Sequence, residues 1–207
     1  MVKVKSLTFS YENKPIFDDF EIDIATKFAV IKGPSGCGKT TLLKLLSGNL
    51  VTKNGIASLE FKKKSMILQE DALFPWMTGM QNILKILPVT EEEVRKHPLF
   101  KHIESFVGQR AYEMSFGQRR MVELFRVFLY KPDFLCLDEP FNFLDPVNRK
   151  RMLDFILPAS SSLPDTTIVM STHYSEDTSG LGLETYYFDG NFPVRRLQTE
   201  DEFKKHV

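Results

Sequence analysis

The chain has 207 residues, enough for one domain with a sizeable core, and its 43% hydrophobic and 26% charged content is that of an ordinary globular protein. Lys plus Arg equal Asp plus Glu at 27 each, so the charge balance argues against a nucleic-acid partner. No run is long enough to span a bilayer, the N-terminus lacks a signal-peptide apolar segment, and two cysteines, Cys37 and Cys136, make neither a disulfide framework nor a metal cage, so a cytoplasmic, reduced protein is expected.

Leu7, Phe9 and Tyr11 alternate on one face, and Phe20, Ile22 and Ile24 on another. The turn residues ENKP (12–15) between them predict an antiparallel hairpin. FAVI (28–31) is a short continuous apolar run, the signature of a buried parallel strand. GPSGCGKT (33–40) follows it and leads into TLLKLLSG, which matches G-x-x-x-x-G-K-[ST] in its strand–loop–helix setting. Glycines let backbone N–H groups curl around a phosphate, and the helix N-terminus turns its positive end to the same anion. Lys39 is placed to reach the β and γ phosphates of a nucleoside triphosphate, and the Thr40 hydroxyl to bind Mg²⁺. Cys37 lies beside Lys39 at that helix N-terminus, a setting that favours the thiolate.

The loop's helix is expected to end near Ser47, with Gly48 at the left-handed position beyond it. SMIL (65–68) reads as a strand, residues from about 71 to 131 as mostly helical, and FLCL (134–137) as a second core strand. Asp145-Pro146 opens a helix, TTIVM (166–170) is a third core strand, and ETYYF (184–188) a further one. The layout is one α/β domain over 1–207, with an antiparallel β-subdomain first and a helical lobe inserted at about 71–131.

FLCLDEP (134–140) ends a strand in two adjacent carboxylates, which point to opposite sides and so do different work. STH (171–173) follows the third strand at the corresponding end, where ligands of parallel sheets collect; His173 reads there as a structural histidine or a site residue. In YEMSFGQRR (112–120), Ser115-x-x-Gln118 is a capping box ahead of an apolar helix.

Taken together, GPSGCGKT, Gln69, MSFGQ, CLDEP, the FLD around Asp145 and STH resemble the ATPase subunit of ATP-binding cassette (ABC) transporters. The resemblance runs over residues 11–173 and implies a P-loop NTPase fold that binds and hydrolyses ATP with Mg²⁺. It implies that Gly33, Pro34, Ser35, Gly36, Cys37, Gly38, Lys39, Thr40 and Thr41 hold the phosphates. Tyr11 matches the aromatic that stacks on adenine; otherwise it is one more inward residue of its strand. Gln69 matches a residue touching Mg²⁺ and water, Asp138 the magnesium-associated acid, Glu139 the general base and His173 the switch histidine. Asp145 matches a loop crossing the interface between two cassettes, or simply caps its helix. Two cassettes of this family face each other head to tail, so Ser115, Gly117 and Gln118 of one chain complete the ATP site of the other. Phe116 departs from the family by replacing a glycine, Glu123, Phe125 and Val127 stand where small residues are common, and Tyr174 replaces an aspartate. An ordinary helical φ at Phe116 is expected to keep its ring beside the phosphate path, with the N–H groups of Gly117 and Gln118 open to an anion.

LQEDALFPWMTGMQNI (68–83) resembles the same window of nitrate, sulfonate and taurine importer subunits. The apolar Phe74, Pro75, Trp76 and Met77 in it serve either as core or as a groove for a partner's helix. The resemblance implies a homodimer or paired cassette, peripheral on the cytoplasmic face of the membrane through a separate permease. Two other classes stay open: an ABC-type ATPase in a soluble assembly complex, and a small-molecule kinase, which has no use for MSFGQ.

Overall fold

The computed structural model describes residues 2–52, 61–173, 178 and 181–204; Tyr174 lies outside them. The chain divides into two compact units: Met1–Met66 with Asp133–Glu139 and Thr166–Val207, and Ile67–Pro132 with Pro140–Asp165.

The first unit opens with β1 (Val2–Tyr11) and β2 (Lys14–Ile24), an antiparallel hairpin closed at Glu12 and Asn13. Its apolar face does not follow simple alternation. Val4 pairs with Ile22 and Leu7 with Phe20, so β1 carries an extra residue; Leu7 to Phe9 then faces Phe20 to Phe17, so β2 carries the next. Ser6 and Asp19 take these first two irregularities at positive φ, 53° and 48°, and a third follows where Phe9 pairs with Phe17 but Ser10 with Pro15. The first two bulges cancel, and Val2, Val4, Leu7, Phe17, Phe20 and Ile24 all stay buried. A parallel strand, β8 (Val194–Arg196), completes this sheet in the order β1-β2-β8.

The second sheet contains β3 (Phe28–Lys32), β4 (Lys64–Ile67), β5 (Phe134–Asp138), β6 (Thr167–Thr172), β7 (Glu184–Tyr187) and β9 (Gln198–Thr199), in the order β4-β5-β6-β3-β7-β9. Strands β3, β5, β6 and β7 run parallel, and β5 and β6 are buried along their whole length, which is why they read as continuous apolar runs. Helix α1 (Lys39–Ser47) packs on β5 and β6, and its Leu42, Leu43 and Leu46 join Phe17, Phe20 and Phe134 in one core cluster. Register places the site: Lys32 pairs with Thr172 and Asp138 with Ser171, so the segments after β3, β5 and β6 leave the same end of the sheet side by side.

The second unit is helical: α2 (Gly79–Ile86), α3 (Glu91–Lys96), α4 (Phe116–Tyr130) and α5 (Pro146–Ser161), with 3-10 turns at Pro98–His102 and Ala111–Glu113. Thr78, Thr90 and Ser115 head capping boxes with Gln81, Glu93 and Gln118, and Asp145 caps α5 ahead of Pro146. Phe128 and Phe155 meet at 5.7 Å between α4 and α5. Buried Asn82 fixes the loop before α2: it accepts the Phe74 N–H at 2.7 Å and donates to the carbonyls of Phe74, Met77 and Thr78. A short terminal helix, α6 (Glu200–Lys204), follows β9 in the first unit.

Candidate nucleotide site

The loop after β3 is shaped by glycine where nothing larger fits. A Cβ on Gly33 would stand 2.8 Å from both Cys37 Sγ and Phe188 Cβ. Gly38 heads α1 at φ +105°, a conformation L side chains rarely adopt, and no side chain caps this helix. The first turn also carries no acidic residue, so its N–H groups and dipole face the loop uncompensated.

Lys39 is only 4% exposed, and burial obliges its ammonium to be paired. It donates to the carbonyls of Gly33 at 2.8 Å and Pro34 at 2.9 Å, and forms an ion pair with Glu139 Oε1 at 3.2 Å. The other carboxylate oxygen of Glu139 lies 3.0 Å from His173 Nδ1. The resemblance-derived base, lysine and histidine are therefore one contiguous row. Glu139 sits at φ +46°, which costs a non-glycine residue about 1–3 kcal/mol and turns its side chain off the strand line of Asp138.

Ser171 holds that geometry, and sequence reasoning missed its role. Buried on β6 opposite Asp138, it donates to Asp138 Oδ1 at 2.7 Å and accepts the Glu139 N–H at 3.0 Å. Only the register between β5 and β6 reveals this, since 32 residues separate Ser171 from Glu139. Asp138 is 1% exposed at the strand end, with Thr40 at the start of the helix that packs on β5. Among the described residues no three His, Cys, Asp or Glu side chains converge as a metal cage. A hydroxyl and a carboxylate are instead the few hard oxygen donors that suit Mg²⁺, which keeps waters and phosphates as its other ligands.

Cys37 corrects an expectation. Its thiol is buried, and burial raises its pKa above the ordinary cysteine value, outweighing the opposing pull of Lys39 and the loop N–H groups. Tyr11 is 45% exposed at the end of β1, edge-on to Phe9 at 4.9 Å, and so is not a core residue.

In the helical unit, Ser115 Oγ accepts the Gln118 N–H at 3.2 Å, and Gln118 Oε1 accepts the Ser115 N–H at 2.8 Å. The amide of Gln118, expected to be open to an anion, is thus used by its own cap. Phe116 occupies the first position of α4 and packs edge-on against Phe143 at 5.6 Å, with the Arg120 guanidinium 5.2 Å from its ring centroid. Gly117 abuts Leu144, whose Cδ2 would lie 3.2 Å from an added Cβ. A cavity of about 700 Å³ opens beside this helix start, lined by Ser115, Gly117, Gln118, Asn148, Arg151 and His102 among others. Asp145 accepts the Asn148 N–H at 2.9 Å, and that bond holds its carboxyl below the usual range. Trp76 is 65% exposed beside a groove lined by Met77, Gln81, Leu84 and Lys85, which removes the core reading.

Residues 19–142 match the profile of the ABC transporter family, well over half the chain. The chain belongs to that family. It is 32% identical over 197 residues to an aliphatic sulfonates import ATP-binding protein of Bacillus subtilis, covering 88% of this chain and 77% of that one. A thiamine import ATP-binding protein of Escherichia coli O157:H7 is 31% identical over 196 residues, at 86% and 84% coverage. A taurine import ATP-binding protein of Pseudomonas aeruginosa is 29% identical over 202 residues, at 89% and 76%. The fold matches solved cassettes: an ABC transporter ATP-binding subunit at TM-score 0.77 and 19% identity, covering 99% of this chain and 92% of that one, and a dimeric bacterial cassette at 0.74 and 21%, covering 96% and 97%. This ABC protein is thus an ATP-binding and ATP-hydrolysing transporter subunit, and the soluble-assembly alternative is not favoured. Among the described residues no helix is long and apolar enough to cross a membrane.

Because the thiolate is the reactive form, N-ethylmaleimide is expected to label Cys37 at pH 7 more slowly than free cysteine, and faster as pH rises through the alkaline range. Mass spectrometry of the Cys37 peptide against pH measures it; rapid labelling at neutral pH contradicts the burial argument.

Proposed function

We propose that this subunit closes with a second cassette around ATP and drives a separate permease, with Glu139 as the general base. The row Lys39–Glu139–His173 carries the reading, because both oxygens of the base are engaged by groups that a terminal phosphate would recruit. The γ-phosphate draws Lys39 to itself through a charge-assisted bond, and the Glu139 oxygen so released takes the proton of the attacking water. His173 then answers both the carboxylate and the phosphate, and orients the water between them. Backbone N–H groups of residues 35–41 enclose the phosphates, and Tyr11, exposed at its strand end, stacks on the base.

Thr40 and Asp138 hold Mg²⁺, with Gln69 assigned the sensing of cation and water. When bound, the ion supplies charge to neutralise the phosphate oxygens. Ser115 and Gly117 at the α4 N-terminus, with Gln118 securing the cap, meet the ATP of the facing chain, and the loop carrying Asp145 lines that interface. Closure then persists only while the γ-phosphate is present, as differential affinity for one state requires. The Trp76 groove docks the permease on the cytoplasmic face, its exposed indole serving as the anchor.

Glu139→Gln removes the proton acceptor and keeps the shape. ATP affinity is expected to hold while turnover falls by about 100-fold or more, with an ATP-dependent dimer in size-exclusion chromatography. Turnover near the parent's would refute the assignment. Trp76→Ala is expected to spare stability and ATP binding while weakening capture of the permease by about 30-fold or more, as loss of an aromatic anchor does. A destabilised protein that docks normally would return Trp76 to a packing role.

A further inference from the structure

The start of α4 is joined to one short segment, residues 68–72, by four hydrogen bonds from three side chains. Arg120 donates to the Leu68 carbonyl at 2.6 Å and to the Gln69 carbonyl at 2.5 Å. Glu123, one turn on, accepts the Ala72 N–H and pairs with Arg120 at 2.8 Å. Arg119 Nε reaches Asp71 Oδ2 at 2.6 Å, and its other arm bonds the Met114 carbonyl at 2.6 Å. Arg120 and Glu123 are almost wholly buried, at 1% and 2% exposure, so each charge must be matched in place. The bonds go to main-chain atoms of Leu68, Gln69 and Ala72, so they fix where the backbone runs while leaving the Gln69 side chain to other work. On the opposite side, Arg120 and Arg119 stand 5.2 and 5.8 Å from the Phe116 ring centroid, and that ring meets Phe143 at 5.6 Å. Two positions where this chain departs from the small residues common in the family, Phe116 and Glu123, thus fall in one connected cluster with Phe143.

We infer that Arg120 and Glu123 are positioning residues that lock the Gln69 segment to α4, so that Gln69 and the Ser115–Gly117 helix start move as one piece. A lysine at 120 keeps the charge but cannot span two carbonyls with a planar fork, and an alanine at 123 leaves the Ala72 N–H without its carboxylate. The consequence is communication. A displacement of Gln69 by the nucleotide its own chain binds is carried by Arg120 to the helix start that serves the facing chain's nucleotide, with no slack between them. The inference rests on the reading of Gln69 as the sensor of cation and water, and two measurements separate the fates of the two claims.

The test uses Arg120→Lys in the full chain, alone and combined with Gln69→Ala, with steady-state ATP hydrolysis and amide exchange of residues 68–72. Expected are kcat reduced about tenfold, KM for ATP within about twofold, faster exchange at Gln69 and Ala72, and no further loss when Gln69→Ala is added. Should Arg120→Lys fail to fold, Arg120→Met with Glu123→Leu removes both buried charges at similar volume, a change cores commonly tolerate, and is read the same way. Parental kcat and exchange, or losses that multiply with Gln69→Ala, overturn the inference. If Gln69→Ala alone leaves kcat unchanged, the sensor reading fails; exchange then decides the anchoring, and unaltered exchange overturns it.

Discussion

A buried cation that must always have a counter-charge organises the first unit. The Lys39 ammonium is held by two carbonyls of its own loop and by the Glu139 carboxylate, and leaving such a charge unpaired costs several kcal/mol. Strand register and one buried hydroxyl in the β unit keep that pairing in place. Register of β3, β5 and β6 puts Lys39, Glu139 and His173 at one sheet end, and Ser171 fixes the strained Glu139 backbone while steadying Asp138. In the proposed cycle the γ-phosphate of ATP competes with Glu139 for the ammonium.

The helical unit follows a different logic. Its helices are short and individually weak, and capping boxes at Thr78, Thr90 and Ser115 with the Asp145 cap define where each begins. Packing of Phe125 against His97 and Phe100, and of Phe128 against Phe155, then fixes α4 among its neighbours. A helix so fixed is a suitable base from which Arg119, Arg120 and Glu123 hold the Gln69 segment. Phe116, expected from the sequence to keep its ring beside the phosphate path, spends that ring on Phe143 and the two guanidinium groups.

What the sequence makes legible is whatever is written locally. The phosphate loop needs glycines, a lysine and a threonine at fixed spacing, and the strand carboxylates and the Ser115–Gln118 box are equally local. The parallel strands β3, β5 and β6 read as apolar runs because both faces are covered. Long-range features stayed hidden. Strands β8 and β9 have three and two residues, too few for a period, and the bulges at Ser6 and Asp19 cancel only when both strands are seen together. Ser171 gains its meaning from pairing with Asp138, and Arg120 from carbonyls about fifty residues away in the chain. Cys37 misled for a physical reason: the charges favouring its thiolate are visible in the sequence, whereas the burial that outweighs them is not.

The central claim is that Lys39 exchanges Glu139 for the terminal phosphate. Crystal structures of the parent chain with ADP and with a non-hydrolysable ATP analogue, each with Mg²⁺, test it directly. With ADP the ion pair is expected to remain near 3.2 Å. With the analogue, Lys39 Nζ is expected within hydrogen-bond distance of a γ-phosphate oxygen, about 3 Å, and farther than about 4 Å, the limit of an ion pair, from Glu139. An intact Lys39–Glu139 pair beside a fully bound γ-phosphate would contradict the account.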